Sequence, residues 1–323
     1  MYTFIAIIIT VIGIALIPLL PQLINLDRQI PHLTLYYLLS LFGVVSTYLC
    51  VYRTSILSAD QDGFIITRIS MITNMLKTLI MILSIIMFKN YTVYLVIGVV
   101  GELLNNIIAS MIASKKYPFI KEKAQLSKEE EKSIFQNMGS VFLYKVSSVL
   151  LNATDNVLIS TIISTTMVGL YSNYLMLQTK ITSLFTLFFS STTASIANLI
   201  VTEGEDKRYE IFDCEQVISF SFCGVIVPCY ILLANDFIRI WLGEGYTLDN
   251  ITIYAIGLNM YLSCVLQPLW SYREATGLYR KTKWVMVICA MENVILSILM
   301  GKVIGVSGII FASAISRVTT YVW

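Results

Sequence analysis

The sequence predicts an all-α integral membrane protein with about ten transmembrane helices. Hydrophobic residues make up 57% of the 323 residues and charged residues only 13%, and the mean hydropathy is +0.77. This is more apolar than a water-soluble core of the same size requires. Apolar runs of about 20 residues, long enough to cross a bilayer as helices, recur along the chain. Because the runs lack the two-residue alternation of membrane β-barrels, helices are predicted.

The apolar runs divide the chain into two predicted groups of spans. The charged segment 114–136 is the longest hydrophilic stretch and separates four spans, within 1–113, from six, within 137–323. We interpret it as a connector between two helical lobes. The predicted spans are 3–25, 33–52, 69–88, 92–113, 137–160, 168–190, 215–234, 251–271, 284–300 and 307–323.

The distribution of the 22 Lys and Arg residues predicts the orientation. Most of those outside the spans fall on one side, which includes Arg53, Lys115, Lys207 and Arg273. Cytoplasmic loops of membrane proteins carry an excess of Lys and Arg. That side is therefore predicted to be cytoplasmic, together with the N-terminus.

Composition argues against several classes of function. The net charge of +2 and the lack of a basic arm argue against nucleic acid. The six cysteines include no C-x-x-C pair and no histidine cluster, so neither a metal nor a disulfide framework is expected. No phosphate-binding loop is present, so no ATP or other cofactor is expected. We find no catalytic constellation and predict that the protein is not an enzyme.

Polar residues within the fifth span are the best functional signal. Lys145, Ser148, Asn152, Asp155 and Asn156 recur at steps of mostly three or four and share one helical face. A charge in the hydrocarbon core costs at least about 2.5–3.5 kcal/mol on insertion scales, so such groups usually face a cavity or a partner. The row predicts a polar cavity, and a buried ion pair that joins helices is the alternative.

The sixth span carries a second polar row, of hydroxyl side chains. Its members are Ser172, Thr179, Ser183, Thr186 and Ser190, with Lys180 beside them. Either the two rows line one wet seam, or the hydroxyls serve helix packing and bond to the preceding turn. Lys77, Glu102, Glu292 and Arg317 are further charges within spans and can line the cavity or pair with one another. Pro18, Pro228 and Pro268 are candidate hinges or static kinks.

Several short motifs resemble those of a known family. They are Tyr52-Arg53 with Ala59-Asp60-Gln61, Lys116-Tyr117-Pro118, LNATDNVLIS at 151–160, VGLYSNY at 168–174, Trp241-Leu242-Gly243, and Arg273-Glu274-Ala275-Thr276-Gly277-Leu278. Together they resemble the polysaccharide-biosynthesis flippases of the Wzx or polysaccharide-transporter type. That family shares a superfamily with the multidrug and toxin extrusion transporters, and the resemblance runs nearly end to end.

The resemblance implies a fold of twelve to fourteen helices in two lobes around a central cavity. The spans in 1–113 resemble family helices three to six, and those in 137–323 resemble helices seven to twelve, so the first two family helices are missing from this chain. It implies a flippase of the bacterial plasma membrane that moves undecaprenyl-pyrophosphate-linked oligosaccharide to the outer leaflet by gradient-driven alternating access. The expected partners are this lipid-linked oligosaccharide, membrane lipids and other polysaccharide-assembly proteins.

The expected roles of the site residues follow from this substrate. The substrate-cavity candidates include Lys145, Lys180 and Arg317. Lys145 and Lys180 are candidate ligands of the pyrophosphate, because an anion needs cations. Asn152, Asn156, Thr179 and Ser183 are candidates for sugar hydroxyls. Asp155, also in the cavity row, and Glu102 are candidates for ion coupling, and Arg53 and Arg273 are candidate cytoplasmic gates.

Three other functions remain open at this stage. An exporter of small cationic drugs would need an acidic cavity, whereas the span charges include four Lys or Arg against Glu102, Asp155 and Glu292. A membrane-embedded polysaccharide polymerase or glycosyltransferase would need a large external loop or a soluble domain. A non-transporting scaffold would pair all its span charges.

Overall fold

The computed structural model describes residues 2–23, 31–60, 62–121 and 128–321, and every regular element in these ranges is helical. The helices are α1 (Tyr2–Leu16), α2 (Leu20–Leu23), α3 (Leu33–Ala59), α4 (Gly63–Phe88), α5 (Tyr91–Lys116), α6 (Lys128–Leu158), α7 (Thr165–Thr202), α8 (Glu205–Leu242), α9 (Asn250–Val265), α10 (Gln267–Thr276), α11 (Tyr279–Ile304) and α12 (Val306–Tyr321). The predicted all-α class is confirmed.

The helices coincide with the predicted spans. Within the described residues, six are long and apolar enough to cross a membrane, and a bent pair in 142–163 makes a seventh. Three shorter apolar helices, Ala6–Leu19, Leu33–Tyr48 and Val306–Thr320, fall on the remaining predicted spans. Helices α7 and α8 have 38 residues each, about 57 Å at 1.5 Å per residue. They extend beyond the predicted spans because hydropathy registers only their apolar part.

The described helices form two compact units, 2–22 with 31–121 and 128–321. In the first unit, α5 packs on α3 and α4, and α1 packs on α3. Asn90 begins α5 by accepting a hydrogen bond from the Thr92 backbone N–H at 2.8 Å. The Tyr37 hydroxyl donates to the Gly13 carbonyl at 2.9 Å and links α3 to α1. The correspondence of either unit to particular family helices stays a prediction.

In the second unit, α11 packs between α6 and α12, and α9 contacts both α8 and α12. Apolar side chains of α7, α8, α9 and α12 form its main core. Helices α11 and α12 approach closely at Gly308, where a Cβ would lie 2.3 Å from the Met300 carbonyl oxygen. Only glycine fits there, because any larger residue would force the two backbones apart.

Two irregularities in the second unit shape its polar region. Residues Ile159–Ile163 form a π-helical turn directly after α6, and the 142–163 segment bends by 45°. Such turns frequently occur at functional sites. The predicted span 251–271 is divided between α9 and α10, which separate at Leu266, and Pro268 lies in the first turn of α10. Pro228, in contrast, lies inside the continuous α8.

Candidate functional site

A cavity of about 280 Å³ in the second unit collects polar side chains from α6, α9, α10 and α12. Three cations, Lys145, Arg273 and Arg317, line it together with one acid, Glu274. The remaining lining residues are Tyr144, Ser148, Leu151, Ser263, Gln267, Trp270 and Met286. Cationic hydrogen-bond donors therefore dominate this cavity, which we call the cationic pocket.

The short helix α10 supplies the donors on one side of the cationic pocket. Arg273 lies over the ring of Tyr144, with 4.6 Å between the guanidinium carbon and the ring centroid, and its Nη2 donates to the Tyr144 hydroxyl. This stacking fixes the plane of the guanidinium group. The buried Nε of Arg273 has no acceptor among the described residues. Arg273 can therefore donate a further hydrogen bond to a bound anion.

Arg317 is held in place by α9 from the opposite side of the pocket. Its Nη1 donates to the Ser263 hydroxyl at 2.7 Å and lies 3.3 Å from both oxygens of Asn259, the backbone O and Oδ1. Asn259 is itself fixed, since its Nδ2 donates to the Ile310 carbonyl at 2.6 Å. The Arg317 residue is only 8% exposed, so its charge is little screened by water. Asn259 thus positions the most deeply buried cation of the pocket.

A buried hydrogen-bond chain lies one to three turns along α6 from the pocket. The Ser313 hydroxyl donates to Asp155 Oδ1 at 2.8 Å, and Asn293 Nδ2 donates to the Ser313 hydroxyl at 2.7 Å. The chain joins α6, α12 and α11. Asn293 Oδ1 and Asn156 Oδ1 are buried without a protein hydrogen-bond partner among the described residues. Asn293, which joins Asp155 through Ser313, therefore has an oxygen with capacity left for a proton donor or a cation.

The hydroxyl row of α7 lies apart from the cationic pocket. Thr179, Lys180 and Ser183 are exposed, and the two hydroxyls line a shallow groove of about 390 Å³ on α7 itself. Thr179 donates to the Leu175 carbonyl at 2.8 Å and Ser183 to the Lys180 carbonyl at 2.9 Å. Each hydroxyl proton is thus used within the helix, and the outward-facing oxygen remains an acceptor. The structure does not bring the two predicted rows together.

The remaining predicted site residues divide between the two units. Asn152 lies in α6, but its side chain is outside the described residues. In the first unit, Glu102 pairs with Lys77, with 3.2 Å between Oε2 and Nζ. The side chain of Arg53 reaches the Ser110 hydroxyl at 3.5 Å and so contacts α5. The assigned roles of all these residues stay predictions.

A polar cluster joins the α3–α4 turn to the end of α5 in the first unit. The Tyr117 hydroxyl lies 2.5 Å from Asp60 Oδ2 and 2.7 Å from Asp62 Oδ2, and Lys116 pairs with Asp62. The hydrogen bonds from Lys116 and then Tyr117 lower the pKa of Asp62. The hydrogen bonds to Asp60 and Asp62 raise the pKa of Tyr117. Two of the sequence motifs noted above are therefore in direct contact through Asp60 and Tyr117. Asp60 belongs to the motif that precedes α4, and Tyr117 belongs to the motif at the end of α5.

Sequence patterns missed several residues of the second unit. Four of them are uncharged and belong to no charge pattern: Tyr144, Asn259, Gln267 and Trp270. The fifth, Glu215, lies at the edge of a predicted span. Pro268 is the one sequence feature that indicates this part of the site. A proline within the predicted span 251–271 predicts a helix break, and α10 begins at that break. The 51-residue separation between Asn259 and its partner carbonyl explains why no local pattern reveals the contact.

Comparison with solved structures identifies a similar fold. The fold is similar to that in the "Crystal structure of MATE in complex with MaL6", with a TM-score of 0.63 and 14% sequence identity over 99% of this chain and 76% of that chain. No curated protein sequence matches the chain. The chain thus has the helical fold of that structure, and its long apolar helices fit a multi-pass membrane protein.

The family comparison then defines the particular group. Residues 1–248 match the family described as "Polysaccharide biosynthesis protein", and the chain belongs to this family. Family membership connects the chain with polysaccharide biosynthesis, and its fold is similar to that of the MATE structure. The predicted resemblance is confirmed.

Proposed function

We propose that this protein moves a pyrophosphate-linked oligosaccharide on a polyprenyl carrier from the cytoplasmic to the outer leaflet of the bacterial plasma membrane, with the N-terminus in the cytoplasm. Family membership supports a role in polysaccharide biosynthesis, and the fold supports transport. The observation that carries the proposal is the cationic pocket, which Lys145, Arg273 and Arg317 line together. A dianionic pyrophosphate diester is the part of the substrate that needs such a site.

The parts of the substrate differ in what they need from the protein. Guanidinium groups bind phosphate oxygens through paired N–H donors, and Arg273 and Arg317 have fixed orientations. Sugar hydroxyls are donors as well as acceptors, and the exposed oxygens of Thr179 and Ser183 can accept from them. The prenyl chain remains in lipid. Phosphate and sugar are thus proposed to use separate surfaces of the second unit.

We propose Asp155 as the group that couples transport to an ion gradient. It is buried, its carboxylate accepts from Ser313, and Ser313 in turn accepts from Asn293. Glu102 is the weaker candidate, because Lys77 already neutralises it. Replacement of Asp155 by Asn removes the titrating group and is expected to abolish gradient-driven accumulation while downhill movement continues.

A reconstitution experiment tests the proposed function. Vesicles would contain the protein and a fluorescent undecaprenyl-pyrophosphate disaccharide, and dithionite added outside would report the fraction of label that reaches the outer leaflet. We expect wild-type protein to raise this fraction and Arg273→Gln to reduce the rate at least tenfold. Arg239→Gln is the matched control, since Arg239 is exposed and pairs with Asp236 on the same helix.

Two outcomes would contradict the proposed function. The proposal is wrong if wild-type vesicles move no more label than empty vesicles, or if Arg273→Gln and Arg239→Gln move label at the same rate. Transport of a small organic cation by the same vesicles would favour a drug exporter in its place.

A further inference from the structure

Glu215, on α8, is a buried acid outside the cationic pocket and the Asp155 chain. It is 6% exposed, and no ion pair of the described residues includes it. Its Oε2 atom has no hydrogen-bond partner among the described residues. An ionised carboxylate buried in this way lacks a counter-charge, and its Oε2 lacks a donor that would stabilise it.

The hydrogen bonds around Thr192 indicate where a proton lies. Thr192 Oγ1, on α7, lies 2.8 Å from Glu215 Oε1 and also 2.8 Å from the Phe189 carbonyl oxygen. A hydroxyl group has one proton and can donate fully to one of these two acceptors. Both contacts are satisfied if Glu215 is protonated, because Oε1–H then donates to Thr192 and Thr192 donates to Phe189.

The groups that face Glu215 come from three helices. Thr192 faces it from α7, and Tyr272, on α10, packs its ring against Phe212, which lies one helical turn before Glu215 on α8. On the α9 side, Ser219, one turn further along α8, donates to the backbone carbonyl of Cys264. None of these groups is a cation. A proton therefore neutralises this site better than any side chain that faces it.

Tyr272 connects Glu215 with the cationic pocket. Its hydroxyl donates to the Arg208 carbonyl of α8 at 3.1 Å, and its ring packs edge-on against Phe212, with 5.1 Å between centroids. The neighbouring Arg273 and also Trp270 of the same helix line the pocket. Helix α10 is bounded by the break at Leu266 and by Gly277, whose φ is +64°. Helix α10 is thus a short helix with a break at each end. Its Trp270 and Arg273 line the cationic pocket, and its Tyr272 contacts α8.

We propose that Glu215 is a proton-binding residue whose protonation state is transmitted through Tyr272 and α10 to the cationic pocket. When a proton leaves Glu215 for bulk solvent, the carboxylate becomes a strong acceptor that competes with the Arg208 carbonyl for the Tyr272 hydroxyl. The shift of Tyr272 moves α10, and the new negative charge opposes an anion in the pocket. The effect on the anion rests on the proposed function, whereas the protonation of Glu215 does not.

Infrared difference spectroscopy of the full chain tests the protonation directly. Raising the pH is expected to remove a carboxylic-acid C=O band that is already missing in Glu215→Gln and displaced in Thr192→Val. Glu292→Gln is the matched control, because Glu292 also bonds a threonine, Thr319, at 2.7 Å but is half exposed. The proposal fails if the wild-type band is unchanged in Glu215→Gln, or if addition of Na⁺ at constant pH removes it.

Calorimetric binding of the symmetric dimethyl ester of pyrophosphate tests the coupling. This probe has no group that titrates near neutral pH. We expect wild-type affinity to fall by up to about tenfold per pH unit as Glu215 loses its proton, and Glu215→Gln to bind tightly at every pH. Tyr272→Phe should keep the infrared band and lose most of the pH dependence. A pH dependence retained in Glu215→Gln would overturn the coupling, whereas a lack of any binding would overturn the proposed function and leave the infrared result standing.

Discussion

Helices α6 and α7 each carry a polar row at helical spacing, yet the fold gives the two rows different surroundings. The α6 row leads from Lys145 in the cationic pocket to the buried Asp155. The α7 row, including Thr179 and Ser183, is exposed, and its hydroxyl protons bond to its own backbone. The comparison teaches that helical periodicity identifies a shared face but not what covers that face.

The largest expected effect concerns the cation opposite the α6 row. Arg317→Gln should weaken binding of the dimethyl pyrophosphate ester about 10- to 100-fold, since hydrogen bonds to charged groups contribute about 1.5–3 kcal/mol. Calorimetric titration checks this, with Arg239→Gln as an exposed control. Equal affinities for the two variants would show that the α6 side of the unit is not an anion site.

Two serine substitutions compare the stability contribution of a buried hydroxyl with that of an exposed one. Ser313→Ala leaves Asp155 Oδ1 and Asn293 Nδ2 without their shared partner and should lower the free energy of unfolding by about 1–3 kcal/mol. Ser183→Ala, on the α7 row, should change it by no more than about 0.5 kcal/mol. Thermal unfolding in detergent measures both. Equal losses in the free energy of unfolding would contradict the distinction between a buried hydroxyl at Ser313 and an exposed one at Ser183.

The two lysines predicted as cavity cations provide a matched pair. Lys145 lines the cationic pocket and Lys180 is exposed on α7. Lys145→Met should weaken binding of the dimethyl pyrophosphate ester about threefold, because an ammonium group at a wet edge is partly screened. Lys180→Met should leave the affinity unchanged, and the reverse order of effects would assign the anion to α7.

The smallest effect is expected for the α7 hydroxyls. Thr179→Val combined with Ser183→Ala should lower the affinity for an oligosaccharide-bearing pyrophosphate ester about twofold, since two neutral acceptors at an exposed surface are lost. Affinity for the dimethyl ester should not change. Parallel titrations with the two ligands make this comparison, and a loss shared by both ligands would contradict separate surfaces for phosphate and sugar.

Part of the candidate site could be predicted from the sequence. Lys145, Asp155 and Arg317 stand out because charges in apolar segments are costly and few. Arg273 stood out through its motif. Tyr144 and Asn259 could not be found in this way, because an aromatic or amide residue in a membrane helix carries no comparable signal. Their roles depend on partners that other helices supply.

Glu215 illustrates the same limit from another direction. At the sequence level it lies at the boundary of a predicted span, where an acid is usually solvated. In the fold, α8 continues for ten residues before it, Thr192 of α7 contacts its side chain, and Tyr272 of α10 packs on Phe212 one turn earlier. Burial of this carboxylate is therefore a property of three packed helices and not of its own segment.

The sequence by itself determined that this protein lies in a membrane, that its elements are helices and where the polar rows fall, because hydropathy and helical period are local quantities. Only the tertiary structure decided which polar residues, such as Asp155, are buried and which cations line one pocket. The physical reason is separation along the chain: Ser313 reaches Asp155 across 158 residues and Arg273 reaches Tyr144 across 129. Such contacts arise from helix packing, which no single segment encodes.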